Sequence, residues 1–173
     1  MICQATHECH WVSGPPASGK TRFASGLADQ LSACLLDSDE VTERLVQAGL
    51  KLAGMDPDDR DSPEYKATYR DVVYETLFDL ARSHLRRGSV VIAGPFTKET
   101  QSSDGLQFIE NKIGQKVTAH FIWCDPVERR HRLELRGETR DLAKLLNWED
   151  HLASCSETAP SWKHNLVDTS KAP

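Results

Sequence analysis

Eight consecutive residues near the N-terminus have the types and the spacing of a phosphate-binding loop: Gly14-Pro15-Pro16-Ala17-Ser18-Gly19-Lys20-Thr21. They fit the pattern G-x-x-x-x-G-K-[ST] at every fixed position. Glycines allow the backbone to fold so that successive N–H groups point into one concavity, which suits phosphate oxygens. The loop therefore predicts a site for the phosphates of a nucleotide, with Lys20 as its cation and the Thr21 hydroxyl as a ligand of Mg²⁺.

The segments on either side of this loop have the character that such a loop requires. His10-Trp11-Val12 is a short apolar run that predicts a strand, and apolar residues at helical spacing predict a helix over Lys20–Leu31. A helix that begins here would also turn its positive N-terminus toward the phosphates. A chance glycine and proline turn before an ordinary helix is the alternative, and the agreement of both flanks with the motif disfavours it.

Two aspartates follow the second predicted strand, which covers Cys34-Leu35-Leu36-Asp37. Open α/β sheets bind ligands beyond the carboxyl ends of their strands, so Asp37 and Asp39 are expected beside the phosphate loop. The alternative is that they only cap the next helix, which is expected to run to about Ala48 and to be stopped by Gly49. The position of the pair at a strand end favours a functional role.

An arginine-rich segment follows the fourth predicted strand and holds Arg129, Arg130, Arg132, Arg136 and Arg140. Four of these are three or four residues apart and would share one face of a helix, although Gly137 is expected to break it. Like charges on one face repel each other, so an anionic partner is expected. The segment, at about residues 126–141, is therefore interpreted as a lid that turns its arginines toward phosphates. A solvated helix face is the alternative.

The remaining pattern alternates helices and strands. Further strands are predicted at residues 90–93, 117–124 and 165–168, and helices are predicted to begin at Ser62-Pro63, at Thr97 and at Leu142. The helix from Thr97 is expected to continue to Gly114, and the one from Leu142 is expected to continue to Ala153 and to bury Leu146. The acidic residues 50–63 form either a disordered loop or a mobile substrate cover. This order predicts an α/β fold in a single domain over residues 1–173.

Composition limits the classes of function. The chain has 173 residues and a net charge of −5, which disfavours a broad nucleic-acid surface, because such a surface would need a basic face. No apolar run approaches the length of a membrane span, and the N-terminus lacks the order of a signal peptide, so a cytoplasmic protein is predicted. The odd number of cysteines favours reduced thiols. A zinc site at Cys3, His7, Cys9 and His10 is disfavoured, because no second pair of ligands follows.

The order of motifs along the chain resembles that of the small P-loop kinases, which include gluconate kinase, adenylylsulfate kinase, chloramphenicol phosphotransferase, zeta-toxin kinase domains and some polynucleotide kinases. The resemblance covers nearly the whole chain and rests on residues 14–21, 36–39, 90–94 and 132–137. It implies a P-loop NTPase fold, a three-layer α/β/α sandwich with a five-stranded parallel sheet of order 2-3-1-4-5. It also implies that the arginine-rich segment is a small helical lid.

The resemblance implies an activity as well, since these kinases transfer the γ-phosphoryl group of ATP to a hydroxyl. Asp39 falls on the aspartate that acts as the base in such families, and Arg132 and Arg136 fall on the arginines that, with Lys20, stabilise the transferring group. Many relatives carry an arginine three residues after the base, where this chain has Thr42. The base-specifying Asn/Thr-Lys-x-Asp sequence of GTPases is absent, which favours ATP.

The same resemblance implies where the metal and the acceptor bind. Mg²⁺ would rely on Thr21 and Asp37, and Asp37 stays open as an alternative base. Contacts to the acceptor are expected from Asp39, Arg44 and Pro95. The implied partners are ATP and a small hydroxyl-bearing compound, such as an antibiotic or a metabolite. A polynucleotide 5′-hydroxyl kinase and a nucleotide-dependent switch without transfer are the alternatives.

Overall fold

Five parallel strands form the centre of the structure, a computed structural model that describes residues 7–60 and 62–171. They are β1 (Cys9–Ser13), β2 (Cys34–Asp37), β3 (Val90–Ala93), β4 (Thr118–Trp123) and β5 (Asn165–Asp168). Their order across the sheet is β2-β3-β1-β4-β5, and every neighbouring pair is parallel. The predicted strands and the predicted order are therefore confirmed.

Helices connect the strands, as parallel pairing requires. They are α1 (Lys20–Leu31), α2 (Ser38–Leu52), α3 (Pro63–Thr68), α4 (Arg70–His84), α5 (Thr97–Gln101), α6 (Gly105–Ile113), α7 (Pro126–Arg136), α8 (Leu142–Leu146) and α9 (Trp148–Ser154), with a 3₁₀ turn at Thr139–Asp141. No helix in the described ranges combines the length and the apolar character that crossing a bilayer requires.

The sheet is covered on both faces, which makes the three layers of the sandwich. Strands β1 and β3 are buried along their whole length, which explains why β3 is an unbroken apolar run, whereas β1 also buries His10 and Ser13. On one face Trp11 and Ile92 pack with apolar side chains of α2, α4 and α6. On the other face Val12 and Val91 pack with the small side chains of α1.

The helix after β2 is longer than predicted, because Gly49 does not stop it. Helix α2 continues through Gly49 to Leu52. A Cβ atom at this glycine would lie 2.2 Å from the hydroxyl oxygen of Tyr69, so the glycine allows close packing against Tyr69, between α3 and α4, and does not end the helix. Met55 belongs to the acidic segment that follows α2, and its side chain packs on the core. This part of the segment is therefore ordered.

Three predicted helices are each divided in two. The helix that begins at Pro63, capped by Ser62 as predicted, is interrupted at Tyr69. The helix from Thr97 ends at Gln101, and α6 begins at Gly105, where a Cβ atom would lie 1.7 Å from the Glu99 carbonyl oxygen. This close approach of two backbones needs a turn that one straight helix would not allow.

The third divided helix is the one predicted from Leu142. It is interrupted at Asn147, whose φ of −120° and ψ of 53° are not helical. Leu146 was expected to be buried but is 82% exposed, whereas Trp148 is buried at the start of α9. The break at Asn147 rotates α9 relative to α8. The prediction that Leu146 is buried assumed one continuous helix and is therefore wrong.

The cysteines of the described residues are free thiols, as expected. Among those residues no group of three or more His, Cys, Asp and Glu side chains is placed to hold a metal ion. Cys3, one of the four residues considered for a zinc site, lies outside the described part of the chain. His10 instead contacts His120, with their ring nitrogens 3.0 Å apart.

Candidate active site

The phosphate loop lies between the end of β1 and the start of α1. Gly14 follows β1 directly and has a φ of 147°, and a Cβ atom there would lie 2.2 Å from the Ile122 carbonyl oxygen on β4. Gly19 has a φ of 86° and precedes the first residue of α1. Only glycine fits the first position, because both its backbone angle and the neighbouring strand exclude a side chain.

Lys20 lies at the start of α1 and turns back over the loop. Its Nζ donates a hydrogen bond to the Pro15 carbonyl oxygen at 2.7 Å. Burial lowers the pKa of Lys20 to about 8, while the nearby carboxylates of Asp39 and Asp37 act against this shift. A loop lysine, a cap aspartate and the predicted base are therefore close enough to affect one another electrostatically.

Asp37 joins the phosphate loop to the start of α2. Its Oδ2 accepts a hydrogen bond from the Thr21 hydroxyl at 3.0 Å, and its Oδ1 accepts one from the Asp39 N–H at 2.9 Å. It is thus the N-cap of α2 and a partner of the loop at once. A hydroxyl oxygen and a carboxylate oxygen side by side are the kind of ligands that Mg²⁺ prefers, so this donor pair fits the predicted metal.

Asp39 and Pro95, two of the predicted contacts to an acceptor, lie at the carboxyl ends of β2 and β3. Asp39 is exposed in the first turn of α2, and Pro95 follows β3. Both line one large cavity with the phosphate loop. Arg44 is not among the described residues that line this cavity; it lies beside a smaller depression with Asp58 and Thr139. The structure therefore brings Asp39 and Pro95 together with the loop, whereas Arg44 lines the smaller depression, which Asp39 also borders.

The predicted lid begins with α7, which starts at Pro126 with Asp125 as its N-cap and ends at Arg136 with Gly137 as its C-cap, so the break expected at Gly137 is present. Arg132 bends back to the phosphate loop and donates from Nη1 to the Ala17 carbonyl oxygen at 3.4 Å. Its Nη2 donates to the Thr169 carbonyl oxygen at 2.7 Å, and its Nε donates to Glu128 at 2.9 Å. Arg132 therefore links the lid, the phosphate loop and the end of β5.

Arg136 is held in the last turn of α7 by a buried carboxylate. Its Nε donates to Asp141 Oδ2 at 2.9 Å, and Asp141 is 2% exposed. Lys144 lies 3.7 Å from the other oxygen of Asp141. All three side chains line the large cavity, so Lys144, which lies in α8 just after the predicted lid, adds a cation that the sequence pattern did not single out.

Arg129 has a different position from the other lid arginines, because it is fully buried. Its guanidinium donates to Glu157 and to the Pro16 carbonyl oxygen, the latter at 3.5 Å, and lies 5.8 Å from the centre of the Trp148 ring. Arg130 is exposed and pairs with Glu134 along the helix. The side chain of Arg140 lies outside the described part of the structure.

One cavity of about 1330 Å³ connects these groups. A typical site for one small ligand measures roughly 300–1,000 Å³, so this cavity has room for a nucleotide and a further small molecule. Its lining includes most of the predicted site residues: Pro16, Ala17, Gly19, Lys20, Thr21, Asp37, Asp39, Pro95, Arg132 and Arg136. It also includes residues that the sequence analysis missed, among them Lys144, His151, Cys155 and Thr169.

The cavity is also lined by two tyrosines, each with an arginine close to its ring. Arg60 donates to Glu43 at 2.8 Å and lies 5.4 Å from the ring centre of Tyr65. Arg70 lies 4.8 Å from the ring centre of Tyr74 and pairs with a carboxylate of α5. These side chains follow α2 in the chain and have no motif spacing, so only their folded positions reveal them.

Comparisons with known proteins agree with this architecture. A family model described as an AAA domain matches residues 10–158. No curated protein matches the sequence at a significant level. A gluconokinase from Sinorhizobium meliloti superimposes with a TM-score of 0.58 at 13% identity, over 97% of this chain and 84% of that chain. A sugar kinase from a Janibacter species has a TM-score of 0.58 at 15% identity, over 94% and 85% of the two chains. These likenesses show the P-loop NTPase fold of the small kinases.

Proposed function

The chain belongs to the family described as an AAA domain, and we propose that it is a kinase that transfers the γ-phosphoryl group of ATP to a hydroxyl of a small molecule. The observation that carries the proposal is the convergence of Lys20, Asp39 and the lid arginines on one cavity. The printed names of the gluconokinase and the sugar kinase that share the fold support a hydroxyl acceptor, such as one on a metabolite or an antibiotic. The chain would act as one domain, with its lid at about residues 126–141.

The phosphate end of the site would bind the nucleotide. The loop N–H groups and the Lys20 ammonium bind phosphate oxygens, and release of Lys20 from the Pro15 carbonyl frees its donors for this purpose. When bound by Thr21 with Asp37 beside it, Mg²⁺ would add positive charge to the phosphates. Because Asp37 also caps α2, its orientation is fixed before the nucleotide arrives.

Asp39 would act as the base on the acceptor. Its carboxylate accepts the hydroxyl proton while the acceptor oxygen forms a bond to the γ-phosphorus. The bond from that phosphorus to the oxygen bridging it to the β-phosphate breaks, and its electron pair leaves with ADP. Asp39 is suited to this role because it lines the same cavity as Lys20, whereas Asp37 is occupied by Thr21 and by the helix cap.

Arg132 and Arg136 would stabilise the charge that moves during transfer. Both arginines line the cavity that also holds Lys20 and Asp39. Positive groups aimed at the transferring phosphoryl act mainly on the transition state, since the charge on its oxygens changes there. The acceptor would lie between Asp39 and Pro95, near Tyr65 and Tyr74. A contact from Arg44 stays a prediction.

A transfer screen tests the proposal. The wild-type protein is incubated with Mg·ATP and a library of hydroxyl-bearing sugars, metabolites and antibiotics, and mass spectrometry detects the gain of one phosphate. We expect a phosphorylated product from the wild type and none from Lys20→Ala at equal concentration. ATP binding without any phosphorylated library member would contradict the proposal. A 5′-hydroxyl oligonucleotide is added to the same screen, and its phosphorylation as the sole product would show that the acceptor is a polynucleotide and not a small molecule.

A further inference from the structure

Three consecutive carbonyl oxygens of the phosphate loop accept hydrogen bonds from side chains outside the loop. They belong to Pro16, Ala17 and Ser18, and the donors in that order are Arg129 at 3.5 Å, Arg132 at 3.4 Å and Thr169 at 2.7 Å. A trans peptide group carries its N–H opposite its C=O, and the described residues contain no cis peptide bond. Each of these bonds therefore also sets the direction of the following N–H group.

The hydrogen bond from Thr169 is the shortest of the three, and it holds the peptide group between Ser18 and Gly19. Its acceptor is the carbonyl of Ser18, so the N–H of Gly19 is turned away from Thr169. Loops of this kind bind phosphate through such N–H groups, and their direction matters because a misdirected peptide presents its negative oxygen instead. Gly19 has a φ of 86°, which glycine adopts without a steric penalty, so the hydrogen bond from Thr169 can select this orientation of the peptide among those open to glycine.

Thr169 follows β5 directly and uses its hydroxyl in two ways. A hydroxyl has one proton, and its 2.7 Å distance to the Ser18 carbonyl is shorter than its 3.3 Å distance to the Trp123 carbonyl. The same oxygen accepts a hydrogen bond from Arg132 Nη1 at 3.2 Å, and the Thr169 carbonyl accepts one from Arg132 Nη2 at 2.7 Å. The phosphate loop and a lid arginine are thus joined through one residue.

We propose that Thr169 is a positioning residue for nucleotide binding. Its hydroxyl fixes the peptide between Ser18 and Gly19 in the orientation that binds phosphate, and it seats Arg132 against the loop. The inference rests on the proposed nucleotide site and adds to it a residue that does not itself react. Because Thr169 lines the cavity, its effect is expected on the affinity for the nucleotide before any transfer takes place.

The next residue offers a matched control. The Ser170 hydroxyl donates to Asp168 at 2.6 Å and accepts from the Asp125 N–H at 2.9 Å, so it holds the same turn to the cap of α7. Ser170→Ala removes a hydroxyl from this turn while leaving the bond between Thr169 and Ser18. A role for Thr169 that is only structural predicts similar effects of Thr169→Val and Ser170→Ala.

The experiment is calorimetric titration of Mg·ADP into the wild type, Thr169→Val, Thr169→Ser and Ser170→Ala, well below the melting temperature of each. Loss of one hydrogen bond predicts an affinity about threefold to tenfold weaker for Thr169→Val. Thr169→Ser keeps the hydroxyl and should bind as the wild type does, and so should Ser170→Ala. If Thr169→Val does not fold, Thr169→Ala replaces it in the comparison with Thr169→Ser.

The possible results separate this inference from the proposed function. Wild-type affinity in Thr169→Val would overturn the inference, and so would an equal loss in Thr169→Val and Thr169→Ser, because the hydroxyl would then not be responsible. An equal loss in Thr169→Val and Ser170→Ala would assign the effect to the turn and would also overturn it. A wild-type protein that binds no Mg·ADP would instead contradict the nucleotide site itself.

Discussion

Among single residues, we expect nucleotide binding to depend most on the Lys20 side chain. Burial lowers its pKa to about 8 in the ligand-free protein, so its charge is complete well below pH 8 and is lost as the pH rises through that value. Bound phosphates favour the charged form, so binding above pH 8 takes up a proton. We expect the dissociation constant for Mg·ATP to increase by about tenfold between pH 7 and pH 9.

Calorimetric titrations at several pH values would measure this dependence, and Lys20→Arg provides the control. Arginine keeps its charge throughout this range, so the variant should lose the dependence even if its affinity is lower. The same steep dependence in Lys20→Arg would show that another group titrates. A flat profile in the wild type would show that Lys20 stays charged in the free protein.

The lid helix α7 is expected to act on turnover more than on stability. Positive charge aimed at a transferring phosphoryl can contribute on the order of 10³–10⁵ in rate, whereas partly exposed ion pairs contribute little to folding. Arg132→Ala and Arg136→Ala should therefore each lower turnover by about 10³ or more. Arg136→Ala should also lower the melting temperature somewhat, because the buried Asp141 loses a partner.

Arg130→Ala is the matched control for the lid, since Arg130 is exposed on the same helix and pairs with Glu134. Its turnover and melting temperature should equal those of the wild type. The measurements are the turnover number and the melting temperature of Arg130→Ala, Arg132→Ala and Arg136→Ala. Normal turnover in both Arg132→Ala and Arg136→Ala would contradict a role of the lid in transfer and would favour a solvated helix face.

The crossing of α5 and α6 depends on a glycine that the sequence pattern did not mark. A Cβ atom at Gly105 would lie 1.7 Å from the Glu99 carbonyl oxygen, whereas one at Gly26 in α1 would meet no atom of the described residues within 4 Å. Gly105→Ala should lower the free energy of unfolding by about 1–3 kcal/mol, because the backbones have to separate. Gly26→Ala should raise it by about 0.5–1 kcal/mol, because alanine favours helix. Urea denaturation measures both, and an unchanged stability of Gly105→Ala would contradict the close crossing.

The free energy of unfolding of the whole molecule should decrease at acidic pH, because two neighbouring histidines lie on β1 and β4. His120 Nε2 lies 3.0 Å from His10 Nδ1, and His10 Nε2 lies 3.1 Å from a Glu8 oxygen. Burial, together with the neighbouring His10, lowers the pKa of His120 to about 4. The unfolded chain therefore binds more protons than the folded one between about pH 6.5 and pH 4, so the stability falls as the pH falls through this range.

The loss at pH 4 relative to pH 7 should reach up to about 3 kcal/mol, and denaturant titrations at both values would measure it. His120→Asn can still donate to His10 but does not titrate, so its stability should depend less on pH over this range. An identical pH dependence of the wild type and His120→Asn would assign the acid sensitivity to other groups.

The general architecture could be predicted from the sequence, because strands buried on both faces are apolar runs and the phosphate motif fixes the place of the first strand. The divisions at Tyr69, between α5 and α6, and at Asn147 could not be predicted, since the helical spacing of apolar residues continues across them. These breaks depend on which helices touch in the folded chain. The close packing of Gly49 against Tyr69 is an example, because neither residue signals the other in sequence.

The residues of the candidate site also fall into those that the sequence could predict and those that it could not. Lys20, Thr21, Asp37 and Asp39 could be named because they stand in a motif or at a strand end. Lys144 and Thr169 could not, since their approach to the cavity depends on the path of the lid and on the pairing of β5. Arg129 was grouped with the other arginines by its spacing, but its burial against Glu157 depends on a contact made across the fold.

The proposed mechanism requires Asp39 to remove the acceptor proton in the cavity that the phosphate loop and the lid complete. The most direct measurement is the initial rate of phosphate transfer by Asp39→Asn and Asp37→Asn, with the ATP affinity of each, on an acceptor from the screen. Asparagine keeps the shape and the capping ability of aspartate but cannot take the proton. Asp39→Asn should bind ATP as the wild type does and lose about 10²–10⁴ in rate, while Asp37→Asn should weaken magnesium dependence or stability. Full transfer by Asp39→Asn would contradict the account.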